Sequence, residues 1–118
     1  MVERANEKDG TAVELAASPG YEDFDTNRDP LTKGCQVYLR TVTMHYTGRV
    51  VAVNEHEIVL EDAAWIADGT RWSNMLATGE LAEVEPYPPG LVSVGRGALV
   101  DASHWAHPLP REVKPGSK

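Results

Sequence analysis

Lysine is absent between Lys33 and Lys114, and the whole chain carries one cysteine and one phenylalanine. A single cysteine excludes a disulfide framework within the chain and a thiolate zinc centre. No apolar run approaches the ~18 residues that a membrane helix needs. The opening stretch from Met1 to Gly10 is polar and acidic, unlike a secretory signal, so a cytoplasmic chain with no membrane partner is expected. Bases are scarce: 11 stand against 18 acids, giving a formal charge of -7. Such a chain is a poor default binder of phosphate backbones.

The chain is 118 residues long, with 10 glycines and 8 prolines. That length suits one domain rich in tight turns. The charge is uneven, at -4 over residues 1–34, -5 over 35–90 and +2 over 91–118. The basic end is read as solvated, with an acidic surface of a neighbouring copy as the alternative partner.

Residues 1–28 read as a polar arm. Within it, Thr11 and Glu14 have the spacing of a capping box, which predicts a short helix over 11–17. Asp29-Pro30 followed by Gly34 predicts one helical turn over 29–34. From Cys35 the pattern changes to a period of two, with Val37 and Leu39 alternating with Gln36, Tyr38 and Arg40, as in a half-buried strand. A bend is expected near 40–43. A second strand runs over 44–53, where Gly48 suits a strong bend or a close approach of two backbones. Asn54, Glu55 and His56 mark a turn. Residues 57–66 form a third strand. Asp68-Gly69 then reads as a hairpin, with 71–76 as the returning fourth strand. A fifth strand holds Leu81 and Val84 and stops at Pro86. After Pro88-Pro89-Gly90 come two short strands, or one strand broken by Gly95 and Gly97. The tail from Pro108 is extended at best.

Residues 48–62 resemble the first sequence motif of Sm-like proteins, with spacing closest to the bacterial Sm-like RNA chaperones. Gly48, Val50, Val53, Asn54, Ile58, Leu60 and Asp62 fall on its positions. Residues 80–86 resemble the second motif, a short fifth strand. The resemblance implies a mainly β fold, a small, strongly bent five-stranded Sm-like (SH3-like) barrel with a short N-terminal helical turn and extra C-terminal strands. The organisation would be an arm at 1–28, the barrel at 29–90, an extra β segment at 91–107 and a tail at 108–118. The resemblance also implies a homo-oligomeric ring of about five to seven copies, in which strand four of one subunit pairs with strand five of the next and no edge is left open. The expected interface residues are then Arg71, Trp72, Met75, Leu81 and Val84.

In RNA-binding members of that family, the turn after strand two and the turn before strand five line the nucleotide pocket. Asn54, His56 and Arg49 are the residues that would serve here, with His56 placed to stack a base. Glu55 opposes phosphate, and Thr78-Gly79 stands where a basic or polar pair usually precedes strand five. The expected function is therefore a non-enzymatic, ring-forming structural and assembly protein, stacking through its terminal extensions. A single-stranded RNA-binding module is the alternative.

No catalytic constellation emerges, and neither enzyme activity nor a cofactor or metal is expected. Gly95-Arg96-Gly97 lacks the Lys-Ser/Thr and the helix of a phosphate loop. Ser73 and Ser93 lack a nucleophile-elbow pattern. The acid pairs Glu55/Glu57 and Glu61/Asp62 read as solvated strand ends rather than a cation site. His104 and His107 read as surface residues, Cys35 as an inert thiol, and Trp65, Trp72 and Trp105 as packing groups.

Overall fold

The computed structural model describes residues 27–116. The helix expected over 11–17 and most of the arm 1–28 lie outside the described residues. The chain forms strands β1 (Gln36–Thr41), β2 (His45–Val53) and β3 (Glu57–Gly69), helix α1 (Trp72–Thr78), and strands β4 (Leu81–Pro86), β5 (Val92–Gly95) and β6 (Leu99–His104). A 3-10 turn, Arg96–Ala98, joins β5 to β6. The fold is mainly β, and every strand pairing is antiparallel. The strand path is β4-β3-β2-β1-β6, with β5 pairing β3 beside that path, so the six-stranded sheet is open.

β3 serves two partners on one of its edges. Its first half, from Glu57 to Leu60, pairs β5, and its second half, from Ala64 to Gly69, pairs β4. Between them Asp62 takes φ 51°, the one positive value at a non-glycine among the described residues. A short carboxylate side chain tolerates this left-handed backbone better than most. The extra residue reverses the facing of the strand. Ile58 and Leu60 enter one core with Val37, Leu39, Val50 and Val94. Ala64 and Ile66 enter a second core with Tyr38, Met75, Leu81, Val84, Trp105 and Leu109. Gly48 permits the close approach anticipated for it, because a Cβ there would sit 3.0 Å from Leu60 Cβ.

Three local expectations are replaced. Residues 29–34 form hydrogen-bonded turns, not a helical turn. The Asp29 carboxylate accepts the Leu31 N–H at 2.9 Å, its carbonyl accepts the Thr32 hydroxyl at 2.7 Å, and Gly34 lies at φ 94°. Residues 71–76 are not a strand. β3 runs on through Asp68-Gly69, and the chain then enters α1, which buries Met75 and ends where the Gly79 N–H, at φ 79°, bonds the Met75 carbonyl. The helix-favouring Met75-Leu76-Ala77 before a C-terminal glycine is a stop signal of this kind. The short strands expected after Pro88-Pro89-Gly90 form as β5 and β6, but they complete the one six-stranded sheet rather than adding to a five-stranded barrel, and β6 pairs β1 over most of its length.

The tail also belongs to the packing. Trp105 and Leu109 are 1% and 7% exposed. The His107 Nε2–H donates to the Leu76 carbonyl at 2.8 Å, which satisfies one of the open carbonyls at the end of α1. Lys114 and Val84 exchange backbone hydrogen bonds of 2.8 and 2.9 Å, so the tail seals part of the outer edge of β4. Leu109→Ala should therefore cost about 2–5 kcal/mol, the usual range for a buried leucine. A clear drop in the urea midpoint checks this, and an unchanged midpoint would mean that the tail only lies on the surface.

Candidate functional site

Among the residues expected to bind RNA, two share a corner and the third does not. Asn54 organises the β2–β3 turn. Its Oδ1 accepts the N–H groups of His56 and Glu57 at 2.8 and 2.9 Å, and its Nδ2 donates to Glu57 Oε2 at 3.3 Å. Its side chain is thus committed to the turn, while His56 stays exposed. Arg49 lies five residues back along β2, about 16 Å at strand spacing. Its guanidinium is engaged by Asp62 at 3.1 Å, Glu61 at 3.4 Å and Gln36 Oε1 at 3.3 Å.

The cation that does meet this turn is Arg96. Its backbone N–H donates to the His56 carbonyl at 2.9 Å, and its Nη1 donates to the Asn54 carbonyl at 2.9 Å. Sequence reasoning set the Gly95-Arg96-Gly97 run aside because it is no phosphate loop. The missed signal was a basic residue between two glycines at the junction of two β segments. Carboxylates crowd the same corner. Glu57 accepts a short hydrogen bond from the Ser93 hydroxyl, and this bond together with the Asn54 amide holds its pKa below the ordinary value. The corner therefore presents one arginine and one imidazole beside Glu55 and Glu57.

The five expected interface residues are scattered. Met75, Leu81 and Val84 are buried in the second core of their own chain. Arg71 precedes α1 and is exposed, and Trp72, the first residue of the helix, is 39% exposed. Trp72 lies under the Arg40 guanidinium, 4.7 Å from its ring centroid. Arg40 in turn grips Asp101 with two hydrogen bonds, one of them 2.9 Å long from Nε. Tyr38 packs edge-on to Trp72 and shares a 2.8 Å hydrogen bond with His45 Nδ1. Burial pushes the Tyr38 hydroxyl up to about 12, and burial with the nearby Arg40 lowers the His45 pKa. This cluster joins β1, β2, β6 and α1, and every charge in it has a partner.

Strand edges are the other open feature. β5 pairs only β3 and β6 pairs only β1, so each offers one row of backbone groups without a strand partner among the described residues. The remaining candidates find structural roles. Cys35 is partly buried against the first core. His104 donates to the Arg28 carbonyl at 2.7 Å. Among the described residues, no three His, Cys, Asp or Glu side chains group as metal ligands would. None of the described helices is long and apolar enough to cross a membrane.

The network around Asp62 predicts acid sensitivity. Arg111, at 2.9 Å, and Arg49 hold the Asp62 pKa below its ordinary 3.8, and Arg40 does the same for Asp101. A depressed carboxylate pKa stabilises the fold above the unfolded value, and that contribution is lost as pH falls through the folded value. His45 acts in the same direction from a higher pH, since its folded pKa lies below 6.5. Urea midpoints should therefore fall from about pH 6 downwards, most steeply below about pH 4. Asp62→Asn keeps a residue that tolerates positive φ, and it should lower the neutral-pH midpoint while flattening the acid limb. An unchanged acid limb would remove Asp62 from the account. Compared with protein-family models, curated proteins and solved structures, the chain matches none of them.

Proposed function

We propose that this chain is a non-enzymatic, self-assembling cytoplasmic protein of the Sm-like kind, joined edge to edge into a closed homo-oligomer. One observation carries the reading. β5 and β6 are separated by the single 3-10 turn Arg96–Ala98, yet they pair with opposite outer strands of the β3-β2-β1 ladder. Consecutive short strands can reach both outer strands only if the ladder curls strongly, which supports a small bent barrel. The shared core of Val37, Leu39, Val50, Ile58, Leu60 and Val94 suits the inside of that curl.

In an Sm-like order, β5 and β6 take the places of strands four and five. The ring contact then moves from the expected residues at 71–84 to the outer edges of β5 and β6. Pairing these edges between copies satisfies their N–H and C=O groups, and closing the ring leaves none over. The outer edge of β4 is a weaker candidate, because Lys114 of the same chain occupies it at Val84.

Native mass tests this. The full chain should run as a multiple of 12.9 kDa in light scattering at micromolar concentration. The Trp105 N–H donates to the Gln36 carbonyl, so by strand alternation Asp101 and Ser103 face β1 and the Ala102 N–H faces outward. Ala102→Pro removes that outward donor and leaves the internal ladder intact. It should reduce the mass to that of one chain without lowering the urea midpoint by a comparable degree. A wild-type monomer would end the proposal.

A second reading, single-stranded RNA binding, is favoured by Arg96 and His56 meeting at the junction of two turns. The turn before β6, rather than Thr78-Gly79, would then be the second wall of the pocket. A mobility shift with U-rich or A-rich strands at low salt should weaken about tenfold in Arg96→Ala, since charged contacts dominate such binding. No shift at low salt would remove this reading.

A further inference from the structure

One face of the β2-β3-β4 region carries Met44, Trp65 and Tyr87, which neither core uses, beside Tyr46, which packs against the first core. Trp65 on β3 lies directly opposite Tyr46 on β2 and directly opposite Glu85 on β4. Tyr87 follows β4, and its N–H donates to the Ala63 carbonyl at 2.9 Å, which fixes its ring 6.5 Å from that of Tyr46. Met44, Trp65 and Tyr87 are 44%, 37% and 40% exposed. With Glu85, Pro86 and Pro88, these three line a shallow cavity of about 310 Å³.

The rim of this groove is acidic. Glu85 and Glu83 lie two apart on β4 and so share a face. Glu83 is directly opposite Asp68 on β3. Facing like charges are unfavourable in a sheet. Among the described residues, none of these three carboxylates takes part in an ion pair. Elsewhere among the described residues a tryptophan and a carboxylate share a cation, because Arg40 stacks over Trp72 while its Nε and one Nη bond the two oxygens of Asp101. Trp65 and Glu85 offer the same two components side by side.

We propose that this face docks an extended, arginine-bearing segment of a partner protein. The guanidinium stacks on Trp65 and Tyr87 and pairs with Glu85, and the carboxylates Glu83 and Asp68 receive a second cation along the segment. Arginine suits the site better than lysine, since a planar guanidinium can stack on a ring and bond a carboxylate at the same time. The acidic rim disfavours nucleic acid. It also disfavours the arm of this chain, whose residues 1–26 carry seven acids and two bases. The inference does not rest on ring formation, since it uses neither β5 nor β6.

Calorimetric titration of the full chain with a synthetic peptide of alternating arginine and proline tests this. The control peptide carries citrulline, a neutral analogue of the same shape, in place of arginine. The arginine peptide should bind, and the citrulline peptide should bind at least about tenfold more weakly, a difference of roughly 1.4 kcal/mol. Glu85→Gln and Trp65→Ala should each weaken the arginine peptide by a similar factor, and raised salt should act in the same direction. Equal binding of the two peptides, or no binding at millimolar concentration, would overturn the proposal. So would a change of native mass in Trp65→Ala, because the face would then belong to a second copy of this chain.

Discussion

The backbone reversal at Asp62 is the constraint on which the molecule turns. A regular strand of thirteen residues could present only one set of side chains to each side. With one residue in the left-handed region, β3 places its first half in one core and its second half in another. The reversal is held from both sides, by Arg49 of β2 and by Arg111 of the tail, both bonded to the Asp62 carboxylate. Through Arg49 the hold extends to Gln36, whose amide also donates to the carbonyls of Trp105 and His107. Bend, tail and first strand are thus fastened by one chain of hydrogen bonds, charge-assisted where Arg49 and Arg111 donate and neutral where Gln36 does.

Alternation made much of this legible. Val37 and Leu39 marked one buried face of β1, Gly48 marked a close approach, and Asn54-Glu55-His56 marked the turn that β2 and β3 share. Tyr38 makes the other face of β1 buried too, so the strand is not half-exposed as expected. What alternation could not reveal was where β3 stops. Asp68-Gly69 has the chemistry of a hairpin, but the partner of that half of β3 is β4, beyond a helix. Residues 71–78 are too short for a clear helical period, and only Met75 among them is fully covered. The tail was harder still. Trp105, His107 and Leu109 sit among prolines, and nothing local says that a hydrophobic core waits for them. Long-range burial decides such segments, and a single sequence does not display it.

The candidate site followed the same division. Asn54 and His56 were readable as a turn, and the structure uses Asn54 to build that turn. Arg49 was grouped with them by composition, yet its charge is spent on Asp62 and Glu61. Arg96 reaches the turn only because β5 returns to the start of β3. Sequence proximity grouped Arg49 with the turn, and topology brings Arg96 to it instead. The scarcity of bases noted at the outset also gains a spatial meaning. Arg40, Arg49 and Arg111 are all engaged by acids of the same chain, and among the described residues the carboxylates Asp68, Glu83 and Glu85 of the β3–β4 face form no ion pair.

The closing strap has a consequence for biosynthesis. Domains tend to acquire structure from the amino terminus as the chain emerges. Here the first core needs β5 and β6, and the second needs Trp105 and Leu109 to cover Tyr38 and Met75. The first core cannot be finished until β6 has left the ribosome, and the second must wait for Leu109. A stop codon shortly before Trp105 would yield a product in which Tyr38 and Met75 stay uncovered.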